Sequence, residues 1–142
     1  MRYVNIRFDA QGTFIDPKPY LALLDGLKTQ LPAGARAFID QPGHFHFGDH
    51  CLHDMMVRPT TTNGELRFGW PTRPDVLRIF YDDSVAVTTV AEPGAGRPDA
   101  AWEVIYDEIL PSTAGCCHEI VCYEGTLRID CTDLHATWAM PE

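Results

Sequence analysis

From Cys51 to the C-terminus the apolar residues recur with period two between short turn signals, and that pattern commits most of the chain to sheet. Successive side chains of a strand point to opposite faces, so alternation buries one face and solvates the other. Residues 52–58 and 65–70 read as strands joined across Asn63-Gly64, the strongest short-range hairpin signal, because both residues tolerate positive φ. Residues 76–81 and 85–90 flank Asp82-Asp83-Ser84 and read as a second hairpin. Residues 92–98 read as an exposed loop and 102–110 as a further strand. Residues 116–123 and 126–132 read as a third hairpin closed at Glu124-Gly125, and 133–138 extends its last strand or kinks away. Seven or eight strands joined mostly by short loops predict an antiparallel meander.

The first third carries a different period. Residues 2–8 alternate as a strand, with Tyr3 on one face and Val4, Ile6 and Phe8 on the other. Asp16 then fits a helix N-cap, with Pro17 at the first helical position, where its missing N–H costs nothing. Tyr20, Leu24, Leu27 and Leu31 follow as the stripe of an amphipathic helix, which Pro32 ends. Residues 34–40 fit a second, short helix. The expected fold is therefore α+β: a predominantly antiparallel sheet of seven or eight strands, curved or barrel-like, with one main N-terminal helix. At 142 residues, with no linker or repeat, the chain reads as a single domain, 1–142, long enough for a sizeable core.

Charge divides unevenly. Residues 1–71 hold seven Asp or Glu and seven Lys or Arg, whereas residues 72–142 hold thirteen acids and four arginines and carry the whole net charge of -9. Such a half repels nucleic acid and anionic membrane surfaces and favours a basic protein partner, whose encounter it would speed. The N-terminus lacks the continuous apolar run of a signal peptide, and no segment approaches the ~18 apolar residues of a membrane span, so the expected location is the cytoplasm. Five cysteines without an export signal read as reduced thiols packed like small hydrophobes.

Four of the six histidines lie between Gly43 and Asp54. His44 and His46 project to one side of an extended segment and His50 follows close by, a candidate metal set for a small metal-dependent enzyme or metal-binding domain. The spacing completes neither pattern it approaches: Gly48 adds a residue to a His-x-His-x-Asp-His motif, and the Glu that would follow in a cupin is missing. His53, in phase with Met55 and Val57, points into the core, where a carboxylate such as Asp107 or Glu108 would satisfy its imidazole.

Catalytic arrangements are harder to build. Cys116 and His118 share a strand face about 6.6–6.8 Å apart along the chain, too far for a ready thiol–imidazole hydrogen bond. Ser84 and Ser112 lie outside any Gly-x-Ser-x-Gly turn, and Gly94-Ala95-Gly96 lacks the third glycine of a dinucleotide loop. Asp107 and Glu108, as strand neighbours, point to opposite faces and do not converge. No cofactor is expected.

Leu31-Pro32, Leu52-His53-Asp54, Trp102 with Tyr106-Asp107-Glu108, and His118-Glu119-Ile120 with Gly125-Thr126-Leu127-Arg128-Ile129 together resemble a loose group of bacterial proteins. Some of that group look like the immunity proteins of toxin systems. The resemblance spans about residues 20–132, implies that His53-Asp54 and Tyr106-Asp107-Glu108 determine the fold, and carries no catalytic role. The leading expectation is a non-enzymatic acidic binding protein of immunity or antitoxin-like type, meeting a basic partner through Asp82, Asp83, Glu119 and Glu124. The others are the His44, His46 and His50 metal site and a structural, self-associating domain.

Overall fold

The computed structural model describes residues 2–40, 52–59, 64–90 and 100–139. Among them a two-stranded hairpin and two helices accompany one eight-stranded sheet, paired antiparallel throughout. The α+β class read from the sequence is the class observed.

The hairpin comprises β1 (Asn5–Asp9) and β2 (Gly12–Asp16). Its turn closes where the Asp9 carboxylate accepts the Gln11 N–H at 2.8 Å and Gly12 takes φ 133°. Helix α1 (Lys18–Lys28) begins as its proline predicts, one position later than expected: Pro17 stands at the cap and Asp16 accepts the Lys18 N–H. The apolar stripe faces inward, with Tyr20 and Leu31 buried and Leu24 and Leu27 half-buried. Helix α2 (Ala33–Ile39) is the short second helix. Two of its orphan N–H groups, on Gly34 and Ala35, each find an Asp133 carboxylate oxygen at 2.9 Å. Gly34 is required there, since a Cβ would stand 2.1 Å from the Leu134 carbonyl oxygen.

The remaining strands are β3 (Met56–Val57), β4 (Glu65–Trp70), β5 (Arg73–Asp82), β6 (Val85–Val90), β7 (Trp102–Pro111), β8 (Cys116–Cys122), β9 (Gly125–Cys131) and β10 (Asp133–Ala139). Their order in the sheet is β10-β5-β4-β3-β7-β8-β9-β6. The β3–β4 and β8–β9 pairings fall where the Asn-Gly and Glu-Gly turns place them.

One expected hairpin is absent. β5 and β6 do not pair; β5 lies between β10 and β4, and β6 pairs with β9. Asp83 takes φ 50°, as a tight turn demands, yet the chain rounds a corner there instead of doubling back. β9 and β10 turn the same corner in the opposite direction, with Val85 opposite Asp130 before it and Asp82 opposite Asp133 after it. The Thr132 N–H bridges the bend to the Asp82 carbonyl at 3.0 Å. Two chain segments thus supply both ends of the sheet.

β7 is the central strand energetically. Its residues 104–109 are all buried, which requires cover on both faces. On one side lies the main core, with Leu31, Phe38, Leu52, Phe68, Trp102 and Ile120 among its members. On the other, Val4, Tyr20, Ile105 and Tyr106 form a smaller cluster beneath α1 and the hairpin. Tyr20 fastens that cover, its hydroxyl donating to the Ile109 carbonyl at 2.8 Å and accepting the Ile109 N–H at 3.0 Å. Glu108 fastens the chain entering β1, its carboxylate accepting the N–H groups of Arg2, Tyr3 and Val4 at 3.0, 2.8 and 2.9 Å.

Candidate functional site

His44, His46 and His50 lie outside the described residues. Among the described residues no group of three or more His, Cys, Asp or Glu is placed to hold a metal ion. His53 is placed, and not where its phase predicts. The strand it was expected to open begins only at Met56, and residues 53–54 form a turn in which Asp54 takes φ 66°. The imidazole is therefore half-buried at the strand entrance, with Nδ1 2.7 Å from the Ile105 carbonyl oxygen and Nε2 3.4 Å from Asp54.

The core histidine is His118, fully buried on β8. Its Nε2 lies 2.7 Å from Asp107 Oδ2 and its Nδ1 2.8 Å from the Tyr81 hydroxyl. Antiparallel register sets Ile109 opposite His118, so Asp107, two residues along β7, is its diagonal neighbour on the same face. Tyr81 arrives from β5. Burial, reinforced by the Asp107 charge, pushes the Tyr81 hydroxyl well above its ordinary value, so it remains a donor. Nδ1 is then the acceptor and Nε2 carries the proton given to Asp107. A tyrosine, an imidazole and a carboxylate in series resemble a proton relay, but a relay must meet a substrate. Tyr81, His118 and Asp107 are 5%, 0% and 2% exposed. The open grooves between β1 and β2 and between α2 and β10 are lined by none of the three. Among the described residues this best-formed polar array is a core fixture.

The thiols are equally withdrawn. Cys116, Cys117, Cys122 and Cys131 are buried and reduced, as expected for packing cysteines. Cys116 and Cys131 sit opposite each other in register with their sulfurs 3.5 Å apart. That hydrogen bond and burial push Cys116 up. Burial, with Asp130 and Glu124 nearby, raises Cys117 to about 11 and Cys122 to about 12. Cys116, Cys117 and Cys122 are therefore inert nucleophiles near neutrality, whereas the shared hydrogen bond pulls Cys131 down. The raised thiols also set an alkaline limit on stability. Below pH 9 both states hold the Cys122 proton. Above it the unfolded chain ionises first and is favoured, so stability falls by about 1.4 kcal/mol per pH unit from this group until pH reaches its folded value. Tyr81 adds to the loss above pH 10. Urea unfolding at pH 8, 9, 10 and 11 is expected to show a decline that shallows in Cys122→Ala; equal stability at pH 9 and 11 contradicts it.

The four acids singled out from the sequence do not gather into one patch. Asp82 and Asp83 stand exposed at the corner, where Asp82 meets His135 Nε2 at 3.0 Å and Asp83 receives the Thr132 hydroxyl at 3.4 Å. Glu124 lies at the far end of β9, its carboxylate accepting the Glu103 N–H at 3.0 Å. Glu119 sits midway on β8, opposite Arg128 in register. Asp107 and Glu108 are buried and add nothing to the acidic surface.

What the surface does present is β6. Val85 and Val87 are 66% and 55% exposed, and Ala86, Thr88 and Thr89 are exposed as well, so the strand shows both faces. Sequence reasoning placed residues 85–90 in a hairpin with 76–81, whereas among the described residues β6 pairs with β9 alone. No described helix is long and apolar enough to cross a membrane. Compared with models of protein families, with curated proteins and with solved structures, the chain has no match.

Proposed function

We propose that this chain is a non-enzymatic, acidic protein-binding domain of immunity or antitoxin-like type, whose C-terminal half meets a basic protein surface. The observation that carries the reading is a separation of roles. Among the described residues the best-formed polar array, His118, Asp107 and Tyr81, and four thiols are buried in the core, whereas the carboxylates of the same half that reach solvent, wholly or in part, outnumber its arginines. Exposed carboxylates raise the encounter rate with a cationic partner and lose that effect as salt screens them.

Asp82→Lys with Asp83→Lys tests the reading. Glu124 stays native in this variant because its carboxylate holds a backbone N–H. Partners captured from lysate by the parent chain at low salt are expected to be lost from the double variant, whose Tm is read alongside because position 83 holds a positive φ that lysine tolerates less well than aspartate. A pull-down in which every partner survives the reversal counts against the proposal.

A further inference from the structure

The acidic-binding reading leaves open where and how a partner attaches, and β6 offers an answer. Among the described residues β6 pairs with β9 alone, leaving the outward row of its backbone N–H and C=O groups without a neighbouring strand. The opposite end of the sheet is treated differently, for α2 packs against β10 with the Gly34 backbone at close approach. Exposed edges are ordinarily blunted by lysine, proline, a bulge or an inward-pointing charge. Val85-Ala86-Val87-Thr88-Thr89-Val90 contains no charge and no proline, and its pairing with β9 runs in unbroken register. Half its residues are valine and the rest are small, a composition suited to a pleated partner.

The surroundings select the occupant. Asp82 and Asp83 precede the strand, and Asp130 and Glu119 lie on the rows beside it. The cation among these rows, Arg128, has its Nε 3.8 Å from Asp130. Beyond Val90 the sequence continues Ala91-Glu92 and holds no cation before Arg97. A second copy pairing through β6 would bring the same flanking acids, Asp82 and Asp83 among them, and no cation from β6 itself, so like charge would meet like. A lysine- or arginine-bearing strand meets no such repulsion.

We propose that β6 is a docking edge to which an extended basic segment of a protein partner adds as a further strand. Backbone hydrogen bonds supply the attachment, Val85, Val87 and Thr89 pack against β-branched side chains of the incoming strand, and the flanking acids select its charged ends. The proposal rests on the acidic-binding reading and specifies its mode.

The test uses the full chain and two synthetic peptides of equal charge. One alternates threonine and valine between paired terminal lysines; the other has its central valine replaced by proline. The first peptide is expected to bind at least tenfold more tightly than the second and to slow amide exchange across residues 85–90 at least tenfold. Val87→Lys, which adds a gatekeeping charge at an exposed position, should abolish that preference without lowering Tm. Equal binding of the two peptides with β6 amides unprotected overturns strand addition and leaves the acidic-binding reading standing. Binding of neither peptide at low salt overturns both. A dimer in sedimentation that Val87→Lys dissociates assigns the edge to a second copy and overturns the basic occupant.

Discussion

The Asp107→Ala variant is expected to lose about 2–4 kcal/mol of unfolding free energy, because removing the carboxylate strands the buried His118 N–H that donates to it. Domains of this kind have only about 5–15 kcal/mol in total, so the variant would give up a large share of its stability. The cause is local and specific. His118 Nε2 has Asp107 at 2.7 Å, and the imidazole is fully buried, so water cannot replace the lost acceptor without opening the core. Tyr81→Phe is expected to cost less, about 1–3 kcal/mol, since it removes a neutral donor and leaves Nδ1 short of one hydrogen bond. Urea unfolding of the two variants fixes the order. If Tyr81→Phe proves the more damaging, or if Asp107→Ala costs under about 1 kcal/mol, the carboxylate is not what anchors His118.

Glu108→Ala is expected to act on the other face of the same strand and in a different manner. Its carboxylate accepts three consecutive backbone N–H groups, from Arg2, Tyr3 and Val4, within 3.0 Å. Charge-assisted bonds of this type contribute about 1.5–3 kcal/mol each, but the Arg2 and Tyr3 amides are only part-buried and regain water when released. A net loss of about 2–4 kcal/mol follows. It should appear as undocking of the segment leading into β1 before the sheet unfolds, because Val4 and Tyr20 belong to a cluster separate from the main core. Hydrogen exchange is the informative measurement: amides of β1 and β2 should exchange at least tenfold faster while those of β8 and β9 hold. Glu108→Gln keeps one oxygen acceptor and should fall between parent and alanine. Unchanged exchange in β1 and β2 rules out the carboxylate as the fastening.

The local part of this architecture was legible in the sequence. Alternation marked β4, β7, β8 and β9, glycines at 64 and 125 marked the turns that join their pairs, and the stripe from Tyr20 to Leu31 marked α1. Failures came wherever a distant segment made the decision. Asp82-Asp83-Ser84 suits a tight turn in either setting, and whether the flanking strands fold back or bend a corner depends on β9 and β10 arriving alongside. β2 was missed because its alternation is too short to rise above the turn residues around it. Asp107 was chosen as a carboxylate for a buried histidine, and it serves as one, but for His118 instead of His53. Alternation in β8 already set His118 in phase with Ile120 and Cys116; weighing it only as a base for its neighbouring thiol hid that signal. Tyr81 could not be found this way, since its approach depends on one part of the sheet crossing another.

The shared corner has a consequence for synthesis. β5 can pair with β4 as soon as both leave the ribosome, but its other edge waits for β10, whose Asp133 lies about fifty residues beyond Asp82. At ~5–20 residues per second that wait lasts about 3–10 s. During it the apolar side chains of β5, Leu77 and Ile79 among them, lie beside an open edge able to pair with another nascent chain. β10, the last of the described strands to emerge, is the one that ends the exposure, so translation pauses or truncations within residues 83–132 should convert this protein from a folding chain into an aggregating one.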